Sequence, residues 1–293
     1  MAESAPPALL AVHAHPDDEV FGGGSLARAA DEGVRVVLVT ATLGEEGEIR
    51  DPDLNPDEAR SRLGSIREDE LRQAAALLGI AEIHLLGYRD SGMAGTPSNE
   101  DPNNFHNANL DEVTGRLVGI IRETRPQVIV TYDERGNYGH PDHIAAHLAA
   151  VAAFDAAGDP TRFPTPGLEP WQPQKLYYTA FPRGDLLRFR EIARERGMGP
   201  EEEETEDDLE SYTVPDELIT TRVDVRPWVG RKVAAMRVHR TQITEDSFLL
   251  AMPEDLLEMV WGTESFIRAR SLVDAPDHED DLFAGLRMQP VAR

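Results

Sequence analysis

Residues 11–19 read Ala-Val-His-Ala-His-Pro-Asp-Asp-Glu, and residues 132–143 read Tyr-Asp-Glu-Arg-Gly-Asn-Tyr-Gly-His-Pro-Asp-His. The first stretch gathers His13, His15, Asp17, Asp18 and Glu19. The second gathers Tyr138, His140, Asp142 and His143, with His147 one helical turn further on. Imidazoles clustered with carboxylates can bind a divalent ion, move a proton, or both. Two histidines and one carboxylate are a common catalytic zinc set, which leaves positions open for water and substrate. Water of lowered pKa attacks a carbonyl when a nearby carboxylate takes its proton. Adjacent Asp17 and Asp18 would let one hold the ion while the other faces the water. The tetrahedral oxyanion then needs a second electrophile, which a tyrosine or a protonated histidine provides. Plainer readings exist. Asp17 and Asp18 could simply cap the next helix, although that leaves His13 and His15 unexplained. His-Pro-Asp-His could be only a helix start, with Pro141 in the first turn and Asp142 complementing the dipole. His147, on an Ala/Leu helix, reads as a packed histidine.

These clusters need strands to bring them together. An apolar run over residues 8–12 reads as a buried strand, and Pro16 ends it because proline cannot donate to a ladder. Residues 128–132 form a second such run, directly before the second cluster. Between them the chain alternates: helix 25–31 closed by Gly33, strand 34–41, helix 65–78, strand 83–86, a long Gly/Pro/Asn loop, and helix 110–124. Repeated strand–helix units imply parallel pairing and right-handed crossovers. The expected fold class is therefore α/β, a Rossmann-like layered sheet of mainly parallel strands with a C-terminal α+β extension. Two strand ends of such a sheet can face one crevice. Gly22-Gly23-Gly24 is not a dinucleotide fingerprint and reads as close backbone approach. Residues 1–160 make the metal-binding catalytic region. Residues 161–293 extend the same domain and wall the pocket, through strand 176–181, helix 185–196, strand 219–225 and helix 227–240, which brings His239 within reach. The acidic run at residues 201–208 reads as a solvated loop.

Composition excludes several classes. A formal charge of −25 argues against a nucleic-acid partner. No residue is cysteine, so a metal must be held by His, Asp and Glu. No signal peptide or membrane span is read, and the expected location is the cytoplasm. A homo-oligomer stays open.

His-Pro-Asp-Asp-Glu after a first strand and Tyr-Gly-His-Pro-Asp-His after a later one resemble the LmbE/PIG-L family of zinc-dependent de-N-acetylases. Within it the chain is most similar to the mycothiol-pathway branches, GlcNAc-inositol deacetylases and mycothiol S-conjugate amidases. The stretches at residues 42–48, 89–96 and 239–243 support the resemblance, which spans the chain. It implies that His15, Asp18 and His143 bind Zn2+, with ferrous iron, cobalt or nickel as alternatives, and that Asp17 is the general base. It implies that His140 stabilises the oxyanion or protonates the leaving amine, oriented by Asp142, while Tyr138 polarises the amide carbonyl. Arg67 and Asp90 match positions that hold the sugar. Arg67 could instead pair within its helix with Asp69 or Glu70. The implied substrate is a small N-acylated amino sugar. A non-catalytic carbohydrate-binding protein and a phosphoesterase are the rival classes; the first has no use for an unligated Asp17, and the second commonly needs two metals.

Overall fold

The structure is a computed structural model that describes residues 6–198, 205–247 and 250–286. Its strands are β1 (Ala8–His13), β2 (Arg35–Thr40), β3 (Glu82–Leu85), β4 (Val128–Thr131), β5 (Lys175–Ala180), β6 (Thr221–Asp224) and β7 (Thr263–Ser271). The helices are α1 (Gly23–Asp31), α2 (Pro56–Ala59), α3 (Leu63–Leu78), α4 (Leu110–Thr124), α5 (Gly136–Gly139), α6 (Pro141–Ala156), α7 (Arg183–Glu195), α8 (Glu206–Tyr212), α9 (Val229–Val238) and α10 (Glu254–Trp261).

One sheet runs in the order β3-β2-β1-β4-β5-β7-β6. The first five strands are parallel, whereas β7 lies antiparallel to both β5 and β6. All six residues of β1 are buried, as expected for a strand covered on both faces. Leu10, Val12 and Val39 pack under α4 and α6 on one face. Leu9, Ala11 and Leu38 pack with Leu26 of α1 and Leu71 of α3 on the other. The order reverses between β1 and β4, so the ends of these neighbours open into the crevice where ligands bind in such sheets.

The triple glycine serves close approach, as expected. A Cβ on Gly24 would meet Val225 at 2.6 Å. The start of α1 then takes a carboxylate from β7: Glu264 accepts from the amides of Gly24 and Ser25, both at 2.8 Å, with Lys232 of α9 at 2.7 Å behind it. Strand β7 and helix α10 carry no period strong enough to read from sequence alone. Only Glu264, Ser265 and Phe266 of β7 are buried, two of the three polar. The acidic run behaves differently from expectation where it is described. Residues 201–204 lie outside the described residues, but Thr205 and Asp208 form a reciprocal capping box that starts α8, not a loop. Among the described residues no helix is long and apolar enough to cross a membrane.

Candidate active site

Past β1 the chain turns sharply at Pro16, and Asp17 adopts φ 103° and ψ −21°. This is a costly backbone for a residue with a Cβ. It sets the two aspartates in different directions. The Asp18 carboxylate turns back to the His15 amide at 2.8 Å. Asp17 lines a cleft of about 290 Å³ with Asp18, Phe21, Glu48, Tyr138 and Gln242. Past β4 the chain enters α6, whose N-cap is His140.

The two strand ends meet. His15 Nδ1 lies 3.2 Å from His143 Nε2, His143 Nε2 lies 3.4 Å from one Asp18 oxygen, and His15 Nδ1 lies 3.5 Å from the other. A tetrahedral ion with bonds of about 2.0–2.1 Å would separate its ligands by about 3.3 Å. The two ring nitrogens fit that spacing to each other, and each has one of the two Asp18 oxygens near it. The charges agree: burial opposes a cation on His15, yet Asp142, Asp18 and Asp90 hold its pKa well above the usual value. Burial likewise opposes ionisation of Asp18, but its hydrogen bond and charge pairing with His15 keep it well below the carboxylate range. The pocket therefore favours a positive charge at this point. Burial pushes the His143 pKa down to about 3, leaving a neutral ring able to ligate.

Other polar groups orient these three. His143 Nδ1 lies 3.2 Å from the Gly136 carbonyl, which frees Nε2. His15 Nε2 faces Asp142 Oδ2 at 3.2 Å and Asp90 Oδ1 at 3.6 Å. The Asp142 carboxylate thus stands behind His15 and also accepts from the Ser91 amide at 2.9 Å. It is the Asp142 amide, not its carboxylate, that reaches His140, donating to Nδ1 at 3.1 Å. His140 joins the same point from the side: ligand atoms of His15, His140 and His143 all lie within 4.8 Å of one another. Burial and the neighbouring His15 lower the His140 pKa to about 4. The half-exposed Tyr138 ring stands 4.9 Å from His143, and its phenol is held protonated by burial and by Asp18.

Asp17 is not among these atoms. Burial raises its carboxyl to about 6, opposed by the nearby Arg67 guanidinium. Arg67 does not pair within its helix. It donates to the carbonyls of Gly44 at 2.8 Å and Pro16 at 2.5 Å, and lies 3.2 Å from Asp17 Oδ2. Gly44, at φ 66°, makes this possible, since a Cβ there would sit 1.9 Å from the guanidinium. Asp90 accepts from the amides of Glu46 at 3.1 Å and Gly92 at 2.8 Å, tying two loops at the cleft wall. His147 Nδ1 meets the Tyr132 carbonyl at 2.9 Å, a packed histidine. A larger cleft of about 500 Å³ lies by Gln127 and Gln174 at the opposite end of the strands and contains no histidine.

A family model described as GlcNAc-PI de-N-acetylase (PIG-L) matches residues 10–154, which hold both clusters. A 1D-myo-inositol 2-acetamido-2-deoxy-alpha-D-glucopyranoside deacetylase of Geodermatophilus obscurus is 47% identical over 290 residues, covering 95% of this chain and 97% of its own. One from Frankia alni is 45% identical, covering 94% and 99%. The chain belongs to the PIG-L/LmbE family. Among solved structures it resembles an N,N'-diacetylchitobiose deacetylase from Pyrococcus horikoshii (TM-score 0.60, 23% identity, 91% of this chain and 85% of that one). It also resembles the 4-carboxy-2-hydroxymuconate hydratase GalB from Pseudomonas putida (TM-score 0.59, 19% identity, 92% and 99%). A deacetylase and a hydratase on one fold make the point that the fold alone does not choose the reaction.

In this PIG-L chain three further residues support the site in ways their local sequence does not show. Tyr132 donates to Asp18 Oδ2 at 2.7 Å, accepts from the Ala14 amide at 2.6 Å, and stacks on His143 with centroids 4.1 Å apart. Glu19 accepts from the Asp17 amide at 3.0 Å. His239, expected to reach the pocket, is fully buried and meets Glu19 at 2.5 Å instead. Tyr132 ends the fourth strand's apolar run, so sequence alone reads it as core. Glu19 and His239 are 220 residues apart, and no local pattern pairs them.

Proposed function

We propose that this chain is a metal-dependent hydrolase that removes the acyl group of an N-acylated amino sugar, a glucosamine joined to an inositol or similar polyol. The observation that carries this reading is the division of labour between neighbours. Asp18 turns into the triangle with His15 and His143, while Asp17 turns into the cleft beside it. The names of the relatives from Geodermatophilus and Frankia support the sugar.

His15, Asp18 and His143 hold the ion, with zinc as the resident metal. When bound it supplies Lewis acidity and a water of lowered pKa. Asp17 accepts the proton of the attacking water and returns it to the departing amine as the C–N bond breaks. Because His140 Nδ1 accepts from the Asp142 amide, the neutral ring carries its proton on Nε2. His140 therefore donates a hydrogen bond to the oxyanion and does not serve as the acid. The Tyr138 hydroxyl is the second donor at the cleft mouth. Asp142 orients His15 and holds the Ser91 loop. Asp90 Oδ1 faces the Gly92 amide and His15, while Oδ2, with the Glu46 amide alone, keeps a lone pair for a sugar hydroxyl. Arg67 holds the Asp17 carboxylate toward the cleft.

The test is product analysis with zinc-loaded protein, with and without chelator, on N-acetylglucosaminyl-inositol, a mycothiol bimane conjugate and a phosphate ester. Chelator-sensitive release of free amine and acetate from the first is the expected result. Faster cleavage of the conjugate would make the enzyme an amidase, and turnover of the ester alone a phosphoesterase. No turnover of any of the three overturns the reading.

A further inference from the structure

We propose that Glu19 and His239 form a buried strap that positions Asp17, making both of them positioning residues of the hydrolytic site. This rests on the reading of Asp17 as the general base. The Asp17 backbone sits at φ 103°, where residues with a Cβ rarely stay without support. Its amide donates to Glu19 Oε2 at 3.0 Å. The other Glu19 oxygen meets His239 Nε2 at 2.5 Å. Both side chains are fully buried, and neither lines the cleft. Glu19 touches Asp17 only at its backbone amide, and His239 touches Glu19.

The direction of the strap matters. The φ of Asp17 sets where its Cα–Cβ bond points, so relaxing that angle would swing the carboxylate away from Arg67 and from the cleft. Arg67 holds the carboxylate end. Glu19 holds the backbone end and is itself anchored, because His239 is the C-cap residue of α9 and so belongs to a packed helix. A fastening with only a structural purpose would be served as well by an apolar pair of the same volume. An acceptor for the Asp17 amide would not. The residues after His239 join the same region: the Arg50 amide donates to the Thr241 carbonyl at 2.9 Å, and the Gln242 side chain to the Glu48 carbonyl at 2.8 Å. Through His239, the C-terminal part of the chain holds the catalytic loop.

The experiment compares kcat, KM, bound metal and melting for Glu19→Ala, Glu19→Gln, His239→Ala, Asp17→Asn and the double variant Asp17→Asn/His239→Ala. Glu19→Ala and His239→Ala should lower kcat by about 10- to 100-fold, the scale of a misplaced catalytic group, with KM and metal content little changed. Glu19→Gln keeps an acceptor for the Asp17 amide and should recover most of the loss. The double variant should be no slower than Asp17→Asn alone, because a residue acting through Asp17 has nothing left to position. Where an alanine variant does not fold, Glu19→Met fills the same space without an acceptor and must show the same kcat-only loss. The strap is overturned if Gln is no better than Ala or Met, if the loss appears in KM or metal content, or if the double variant is slower still. Near wild-type turnover in Asp17→Asn would instead overturn the base assignment itself. An inactive Asp17→Asn beside fully active Glu19→Ala and His239→Ala would remove the strap alone.

Discussion

The loops after β1 and β4 carry the same chemistry in similar words, His-Pro-Asp, yet they are held in opposite ways. After β4 the support is local. His143 leans on the Gly136 carbonyl, His140 on the Asp142 amide, and both rings stand on the first turn of α6. After β1 the support comes from far along the chain. Asp18 depends on Tyr132, Asp17 on Arg67 and Glu19, and Glu19 on His239. Both loops hold a residue with a Cβ at positive φ, Asn137 at 62° and Asp17 at 103°, so strain alone does not separate them. The Asn137 amide is tied within its own loop to Asp133 at 2.8 Å, whereas Asp17 also leans on Arg67 and, through Glu19, on His239, partners that only the finished fold delivers.

The largest effect is expected at the ligands. His15 and His143 come from the two loops but meet at one point, so His15→Ala and His143→Ala should each empty most of the metal site while the sheet stays folded. Elemental analysis beside circular dichroism reads both. Unchanged metal in the two variants would show that the triangle is not the binding site.

Next comes the base. Asp17→Asn should keep the ion and lose about 10²- to 10⁴-fold in kcat, since the water loses its proton acceptor. Loss of the metal with the rate would mean that Asp17 and Asp18 had exchanged roles.

What was legible in the sequence follows the same division. The β1 and β4 runs, helices α3 and α4, and both His/Asp clusters are continuous patterns, and each lies in the fold where its pattern puts it. Strand β7 was not legible because its buried residues include Glu264, whose partner amides are 239 and 240 positions away. Arg67 was legible as a chemical residue but not in its direction. Nothing in a helix pattern says that an arginine will pass over Gly44 to reach Pro16 and Asp17. Site members that interact with their neighbours can be read locally, and those held across the fold cannot.

A third test asks whether remote support matters to the ion itself. Tyr132→Phe removes the hydroxyl that Asp18 and the Ala14 amide share, while leaving the ring stacked on His143. Outer partners of this kind typically change metal affinity about 10- to 100-fold. Competition with a chelating indicator should show weaker binding by that amount, with kcat of the fully loaded protein changed much less. Unaltered affinity would mean that Asp18 is fixed by the His15 amide alone.

The smallest effect separates holding the site from holding the fold. Thr241 lies two residues after His239 on the same stretch, but its short contacts are structural, beside a longer one of 3.3 Å from the Gln242 side-chain amide. Its amide and hydroxyl donate to the two Glu70 oxygens of α3, at 2.9 and 2.6 Å, in a buried setting. Thr241→Val keeps the shape and the amide bond and deletes the hydroxyl, which leaves one buried carboxylate oxygen short of a donor. That should cost about 1–3 kcal/mol of stability and lower the melting temperature by a few degrees. Glu70 does not touch the triangle or Asp17 in this arrangement, so kcat and bound metal should stay within about twofold. Neighbouring residues would then give opposite signatures, His239 in turnover and Thr241 in melting. A Thr241→Val enzyme that melts normally but turns over slowly would show that the whole 239–242 stretch acts on the site as one unit, and that the line between catalytic support and fold support runs elsewhere.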